Sequence, residues 1–184
     1  MLLLPLLGLA LLTAACDEQI LEADWTPFPD TVVLYSLARP ELSRESAYNF
    51  ALRSPVRLEV PGATGEWDVA LDTRLGQLVL LPPGVLGVVS RARVLALPGQ
   101  NFRQVEVAPA DTMLYSATLA VPLALTTTYV IRTDSRPTQF GGSCVYFAKL
   151  QPLALDVAEG RIRFVFDASP VCNDRRLVPP DSIS

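Results

Sequence analysis

Arg161-Ile162-Arg163-Phe164-Val165-Phe166 alternates charged and apolar residues and then turns wholly apolar, and it follows Leu153 to Val157 across a three-residue connection, Ala158-Glu159-Gly160. A period of two places successive side chains on opposite faces, and a short connection with glycine near its end closes an antiparallel hairpin. Just upstream, Cys144-Val145-Tyr146-Phe147-Ala148-Lys149-Leu150 has the β-branched and aromatic content of a strand. These segments predict that the C-terminal third is a set of adjacent antiparallel strands.

Working outward, the same signals recur. Thr31 to Ala38, Val56 to Val60, Gln77 to Leu81, Phe102 to Val107, Leu114 to Val121 and Tyr129 to Thr133 each read as a strand. Glu66-Trp67-Asp68-Val69-Ala70-Leu71-Asp72 alternates, which groups Trp67, Val69 and Leu71 on one face and Asp68 and Asp72 on the other. Turn residues separate the runs at Pro61-Gly62, Leu75-Gly76, Pro82-Pro83-Gly84 and Gly141-Gly142. Short helices are expected at Glu41 to Phe50 and Val85 to Arg93. The fold class that follows is all-β, an antiparallel β-sandwich or open barrel-like sheet with one or two short helices.

The N-terminus is of another kind. Residues 1–15 carry no charge, and the run is too short to span a hydrocarbon core of about 30 Å. It has the size of a secretory apolar region, and Thr13-Ala14-Ala15-Cys16 resembles a bacterial lipobox, with threonine where leucine is more usual. The resemblance implies cleavage before Cys16, lipidation of that cysteine and a membrane partner held through it in the cell envelope. No Lys or Arg precedes the apolar run, so the start codon is expected upstream of Met1. The expected organisation is a leader at 1–15, an acidic, Pro-containing tether at 16–30, one β-rich domain at 31–178 and a tail at 179–184, with Trp25 and Phe28 docked on the domain.

With Cys16 acylated, Cys144 and Cys172 remain, and an exported chain lives where disulfides persist. A Cys144–Cys172 bridge is expected, closing a loop of roughly 28 residues and contributing on the order of 3 kcal/mol.

Composition excludes much chemistry. The chain has no histidine, which removes Ser-His-Asp and Cys-His catalysis, imidazole bases and most zinc sites, so no metal or cofactor is expected. The 19 acidic and 15 basic residues, net −4, give no basic patch for nucleic acid. Lys149 is the one lysine among them, the rest of the basic residues being arginine, a bias assigned to base composition. Glu66, Asp68 and Asp72 form the nearest thing to a catalytic carboxylate set, but solvent-facing positions of a half-buried strand show the same pattern. The polar run Asp167 to Arg176, with Arg175 and Arg176 able to clamp an anion, reads as a stapled structural loop. No catalytic residue is assigned.

Glu66-Trp67-Asp68-Val69-Ala70-Leu71, Tyr129-Val130-Ile131-Arg132-Thr133, Tyr146-Phe147-Ala148-Lys149-Leu150 and Asp156…Gly160 with Arg163-Phe164-Val165-Phe166 are together similar to segments of the HmuY-type β-rich lipoproteins. The resemblance implies their fold and location across Tyr48 to Phe166. Haem-binding relatives use histidine pairs or methionines; here only Met113, Tyr115 and Tyr146 are left as contacts, and none matches a family ligand by motif. The expected function is therefore a membrane-anchored, non-enzymatic β-rich module that binds a small ligand or an envelope protein. The alternatives are a haem or other hydrophobe carrier of HmuY-like type and, third, a carboxylate hydrolase.

Overall fold

The computed structural model describes residues 25–26, 28–138 and 141–180. Cys16, the leader, most of the tether and the last four residues of the tail lie outside them.

Two five-stranded sheets and a small ribbon make up the fold, every pairing antiparallel. In chain order the strands are β1 (Asp30–Tyr35), β2 (Ala47–Asn49), β3 (Ser54–Val56), β4 (Val69–Arg74), β5 (Gln77–Leu81), β6 (Arg93–Pro98), β7 (Val121–Pro122), β8 (Thr127–Arg132), β9 (Arg136–Pro137), β10 (Ser143–Cys144), β11 (Phe147–Asp156) and β12 (Arg161–Ala168). The first sheet runs β1-β12-β11-β8-β6 and the second β3-β2-β4-β5-β7, with β9 and β10 forming the ribbon. The sandwich is the form the all-β reading takes here.

The two sheets bury one shared core. Leu34, Ile162, Phe164, Phe166, Leu150, Tyr129 and Ile131 of the first meet Tyr48, Val69, Leu71, Leu78 and Leu80 of the second. Aromatic edges lock the middle: the Tyr48 and Phe50 rings lie 5.1 and 5.4 Å from Phe166 in edge-on geometry. Each sheet also carries a smaller apolar cluster on its outer face. On the first, Val130 and Phe147 are covered by Val105, Ala108, Tyr115 and Leu177. On the second, Ala70, Val79 and Leu81 are covered by Trp67, Val85 and Val88.

The hairpin at residues 157–160 forms as expected, with Gly160 at φ 58° and its N–H donating to the Val157 carbonyl. Several expectations are corrected. Glu41 to Phe50 holds no helix, because Ala47, Tyr48 and Asn49 are buried between β3 and β4 and must pair as strand. The helix expected at Val85 to Arg93 is a single 3-10 turn, Pro83–Leu86: proline fixes its start and Gly87, at φ 76°, ends it. The strand expected at Val56 to Val60 stops at Val56, where a turn closes between Arg57 and Val60.

Phe102 to Val107 is a run of turns bearing one isolated bridge, Val107 to Arg176. Asn101 Oδ1 accepts from Arg103 and Gln104 N–H, and this local bonding wins over the alternating pattern. Leu114 to Val121 likewise becomes a 3-10 turn at Thr112–Leu114, capped by Asp111, a bridge from Ser116 to Val94 and the two-residue β7. Leu153 to Val157 is no separate strand. Its first residues continue β11 past an irregularity between Pro152 and Ala154. Trp67 parts from Val69 and Leu71, since regular pairing starts only at Val69 and the turn before it sends the indole to the outer face.

Candidate functional site

Cys144 and Cys172 are disulfide-bonded, with Cα atoms 5.1 Å apart. The bridge ties β10 to the segment after β12. Asn173, in the left-handed region at φ 58°, brackets it: its N–H donates to the Val145 carbonyl and its Oδ1 accepts from Val145 N–H. Arg175 and Arg176 are engaged within the structure: Arg175 Nη1 donates to the Ala108 carbonyl and Arg176 pairs with Asp174.

The carboxylates fare similarly. Asp68 is fully buried, against the solvent-facing position expected of it, and accepts from Phe50 N–H at 2.8 Å and Asp134 N–H at 2.9 Å. Burial pushes its carboxyl above the usual range, opposed by those two bonds and by Arg136. Asp72 accepts from Thr73 N–H and Ser36 Oγ and pairs with Arg74, and Glu66 faces Arg136 at 3.6 Å. Asp72 is thus engaged apart from the other two, while Glu66 and Asp68 share Arg136. Asp68 holds three chain segments together.

The haem-contact candidates do not share a cavity among the described residues. Met113 is 87% exposed. Tyr115 is buried in the outer cluster with its hydroxyl donating to the Pro109 carbonyl. Tyr146 lines a small cavity of about 210 Å³ with Phe50, Arg53 and Ser169. Phe28 is exposed where docking was expected, and Trp25 is half-buried.

A more developed site lies on the outer face of the first sheet, around Lys149. Ala148 and Leu150 point into the shared core, so alternation along β11 sends Lys149 outward, level with Val130 of β8 and Asp167 of β12. The excursion between β6 and β7 then folds over it. Phe102 is fixed there by donating its N–H to Gln151 Oε1 at 2.7 Å. Lys149 Nζ donates to the Val105 carbonyl at 2.8 Å and sits 4.6 Å from the centre of the Phe102 ring. The residue is only 2% exposed. Burial lowers the ammonium to about 8, opposed by the charges of Asp167 and Glu106.

Beside this ammonium is a cavity of about 410 Å³. Phe102, Arg103, Glu106, Lys149 and Asp167 line it. Both ends of the described chain line it too, Thr26 and Pro29 from one and Val178 and Pro179 from the other. Thr26 Oγ1 donates to Asp167 Oδ1 at 3.2 Å, and Arg53 stands 3.5 Å from the same oxygen. Arg53 pairs first with Asp30, at 2.7 Å, so the cations of the lining, Lys149 and Arg103, are balanced by Glu106 and Asp167. The cavity offers an aromatic face, proline and valine walls and, at its edge, the buried ammonium of Lys149, features that suit a small ligand with an apolar body and one anionic group.

A second depression of about 340 Å³, on the uncovered part of the same sheet, is lined by Val33, Ala154, Asp156, Arg161 and Arg163. Asp156 and Arg161 pair with each other across it at 3.3 Å. Among the described residues, no group of acidic or cysteine side chains is placed to hold a metal ion, and no helix is long and apolar enough to cross a membrane.

The sequence reading missed the Lys149 site. The signal available was a lone lysine flanked by Phe147, Ala148 and Leu150 at strand spacing; that it is covered depends on a segment more than 40 residues upstream. Comparison of the chain with family models, curated proteins and solved structures finds no match.

Proposed function

We propose that this chain is an exported lipoprotein, acylated on Cys16, whose β-sandwich acts in the cell envelope as a non-enzymatic binding module with the Lys149 cavity as its ligand site. The observation that carries the reading is the buried ammonium of Lys149, held over Phe102 at the edge of a cavity that both ends of the described chain wall in. Burying a charge is costly unless it is used or paired, and an isostere with an apolar tip would fill the same space at less cost. A ligand anion completes the set of partners that the Val105 carbonyl and the Phe102 ring begin.

The tether reading rests on the Thr13-Ala14-Ala15-Cys16 pattern, and the disulfide between the other two cysteines fits an oxidising compartment. The absence of histidine supports binding over catalysis.

The test is a fluorescence titration with 1-anilinonaphthalene-8-sulfonate, a probe that combines a sulfonate with aromatic rings. Saturable binding of one probe per chain is expected, lost in Lys149→Met and weakened as pH rises above about 8, where the amine loses its charge. Binding that survives Lys149→Met unchanged overturns the assignment of the site. A parallel titration with hemin that gave a shifted Soret band would favour the haem carrier instead.

A further inference from the structure

The strands place one end of the sandwich close to the anchor. β1 leaves from Asp30, which pairs with Phe166 near the end of β12, while β8 arrives at Arg132 where β11 and β6 depart. In the second sheet β4 departs and β5 arrives at the same end, which Asp134 N–H joins to Asp68 and Arg53 joins to Asp30. Thr26, bonded to Asp167 near the end of β12, lies at this end, ten residues from Cys16, a span of at most about 35 Å of extended chain.

Two loops project from that end, residues 82–92 between β5 and β6 and residues 111–120 before β7. They are packed together: Gly84 lies so close to the Ala117 carbonyl that a Cβ there would collide with it, and Val94 and Ser116 exchange backbone hydrogen bonds. From this joined pair Val89, Met113, Leu119 and Leu114 stand out with 99, 87, 71 and 57% of their surface exposed. Exposed apolar residues occur at the far end too, such as Leu75, but they sit singly on separate turns. A cluster of this kind on two braced loops calls for a partner.

Charge identifies that partner. Arg91 follows Val89 by two residues in the first loop, and Arg93 precedes Val94, which bridges to Ser116 of the second; Arg93 and Arg132 are directly paired across strands, and Arg132 Nη1 donates to the Arg91 carbonyl at 2.6 Å. None of the three is in an ion pair among the described residues. The neighbouring carboxylate, Asp134, accepts instead from the backbone N–H of Arg91 and Ser135. Their mutual repulsion lowers the Arg132 guanidinium further, after burial. Apolar tips edged by unpaired arginines match the two forces that hold a protein to a lipid surface, burial at the acyl boundary and attraction to anionic headgroups.

We infer that this end of the sandwich is a membrane-docking surface, with Val89, Met113 and Leu119 inserting into the interface of an anionic bilayer and Arg91, Arg93 and Arg132 meeting its headgroups. The inference rests on the tethered reading, since the anchor supplies the proximity that makes so small a patch effective.

To keep the two apart, the processed chain beginning at Cys16 is coupled through that thiol to a maleimide lipid, on vesicles of phosphatidylcholine with or without phosphatidylglycerol, and hydrogen exchange is followed by mass spectrometry. Amides in 85–92 and 112–119 are expected to exchange more slowly on the phosphatidylglycerol vesicles than in the uncoupled chain. The turn at 74–77 at the far end serves as the control and is expected to stay unchanged. Arg91→Ser with Arg93→Ser is expected to abolish the effect of phosphatidylglycerol, and Val89→Ser with Met113→Ser to abolish the slowing itself. Equal exchange in the two loops with and without vesicles overturns the docking surface. Acylation in cells is read separately, by labelling with a palmitate analogue, so failure of the anchor and failure of the surface give different results.

Discussion

Lys149 and Asp68 are two buried ionisable side chains held in different ways. Asp68 receives two backbone N–H bonds and an arginine nearby, whereas Lys149 gives one bond to a carbonyl and faces a ring. A lysine with a lowered value binds its proton less tightly when folded than when unfolded. Below about 8 both states are charged and the cost of burial is constant. Between about 8 and the ordinary 10.5 the unfolded chain alone keeps the proton, so stability rises with pH by at most about 1.4 kcal/mol per unit. The expected outcome is that the unfolding free energy of the wild type, less that of Lys149→Met, climbs across this window and is flat below it. Urea denaturation at a series of pH values checks it, and a flat difference throughout would remove the buried ammonium from the account.

At the scale of elements, a covering segment that the alternating pattern misassigned, residues 102–107, helps to build the site. Residues 102–107 alternate like a strand, yet bonds to Asn101 Oδ1 bend their start into a turn laid over the first sheet, and residues 170–178, read as a stapled loop, are tied to Val145 through Asn173. The disulfide holds the second of these against β10. Cross-linking a loop of 28 residues removes chain entropy from the unfolded state, on the order of 3–4 kcal/mol. Cys144→Ser with Cys172→Ser is therefore expected to lose that much stability by chemical denaturation and, because Val178 and Pro179 wall the cavity, to weaken probe binding while the protein is still folded. Unchanged probe affinity would mean that the C-terminal wall stands without the bridge.

For the whole molecule, the proposals concern how a small sandwich is used when fixed to a surface. A single acyl chain binds weakly and two or more bind stably, so a diacylated Cys16 would suffice as the proposed anchor and the proposed docking surface would set orientation. Labelling cells with a palmitate analogue is expected to mark the wild-type protein and not Cys16→Ser; an unlabelled wild type, or a labelled variant, would sink the tether. Orientation then matters for the ligand site, because Thr26 and Pro29 belong both to the chain leading to the anchor and to the cavity wall.

The sequence by itself determined the class of fold, since period-two alternation at Arg161 to Phe166 and its counterparts admits little but antiparallel strands, and turn residues such as Gly160 set where they reverse. With Cys16 set aside by the lipobox resemblance, it also pointed to the Cys144–Cys172 pairing, which the structure shows. Only the tertiary structure decided which alternating runs become strands, because pairing needs a neighbour with free hydrogen bonds, and residues 102–107 meet one only at Val107. It alone decided that Asp68 is buried and that Lys149 faces a cavity, for burial depends on what distant segments lay over a face, and one strand's pattern is the same whether that face is covered by water or by protein.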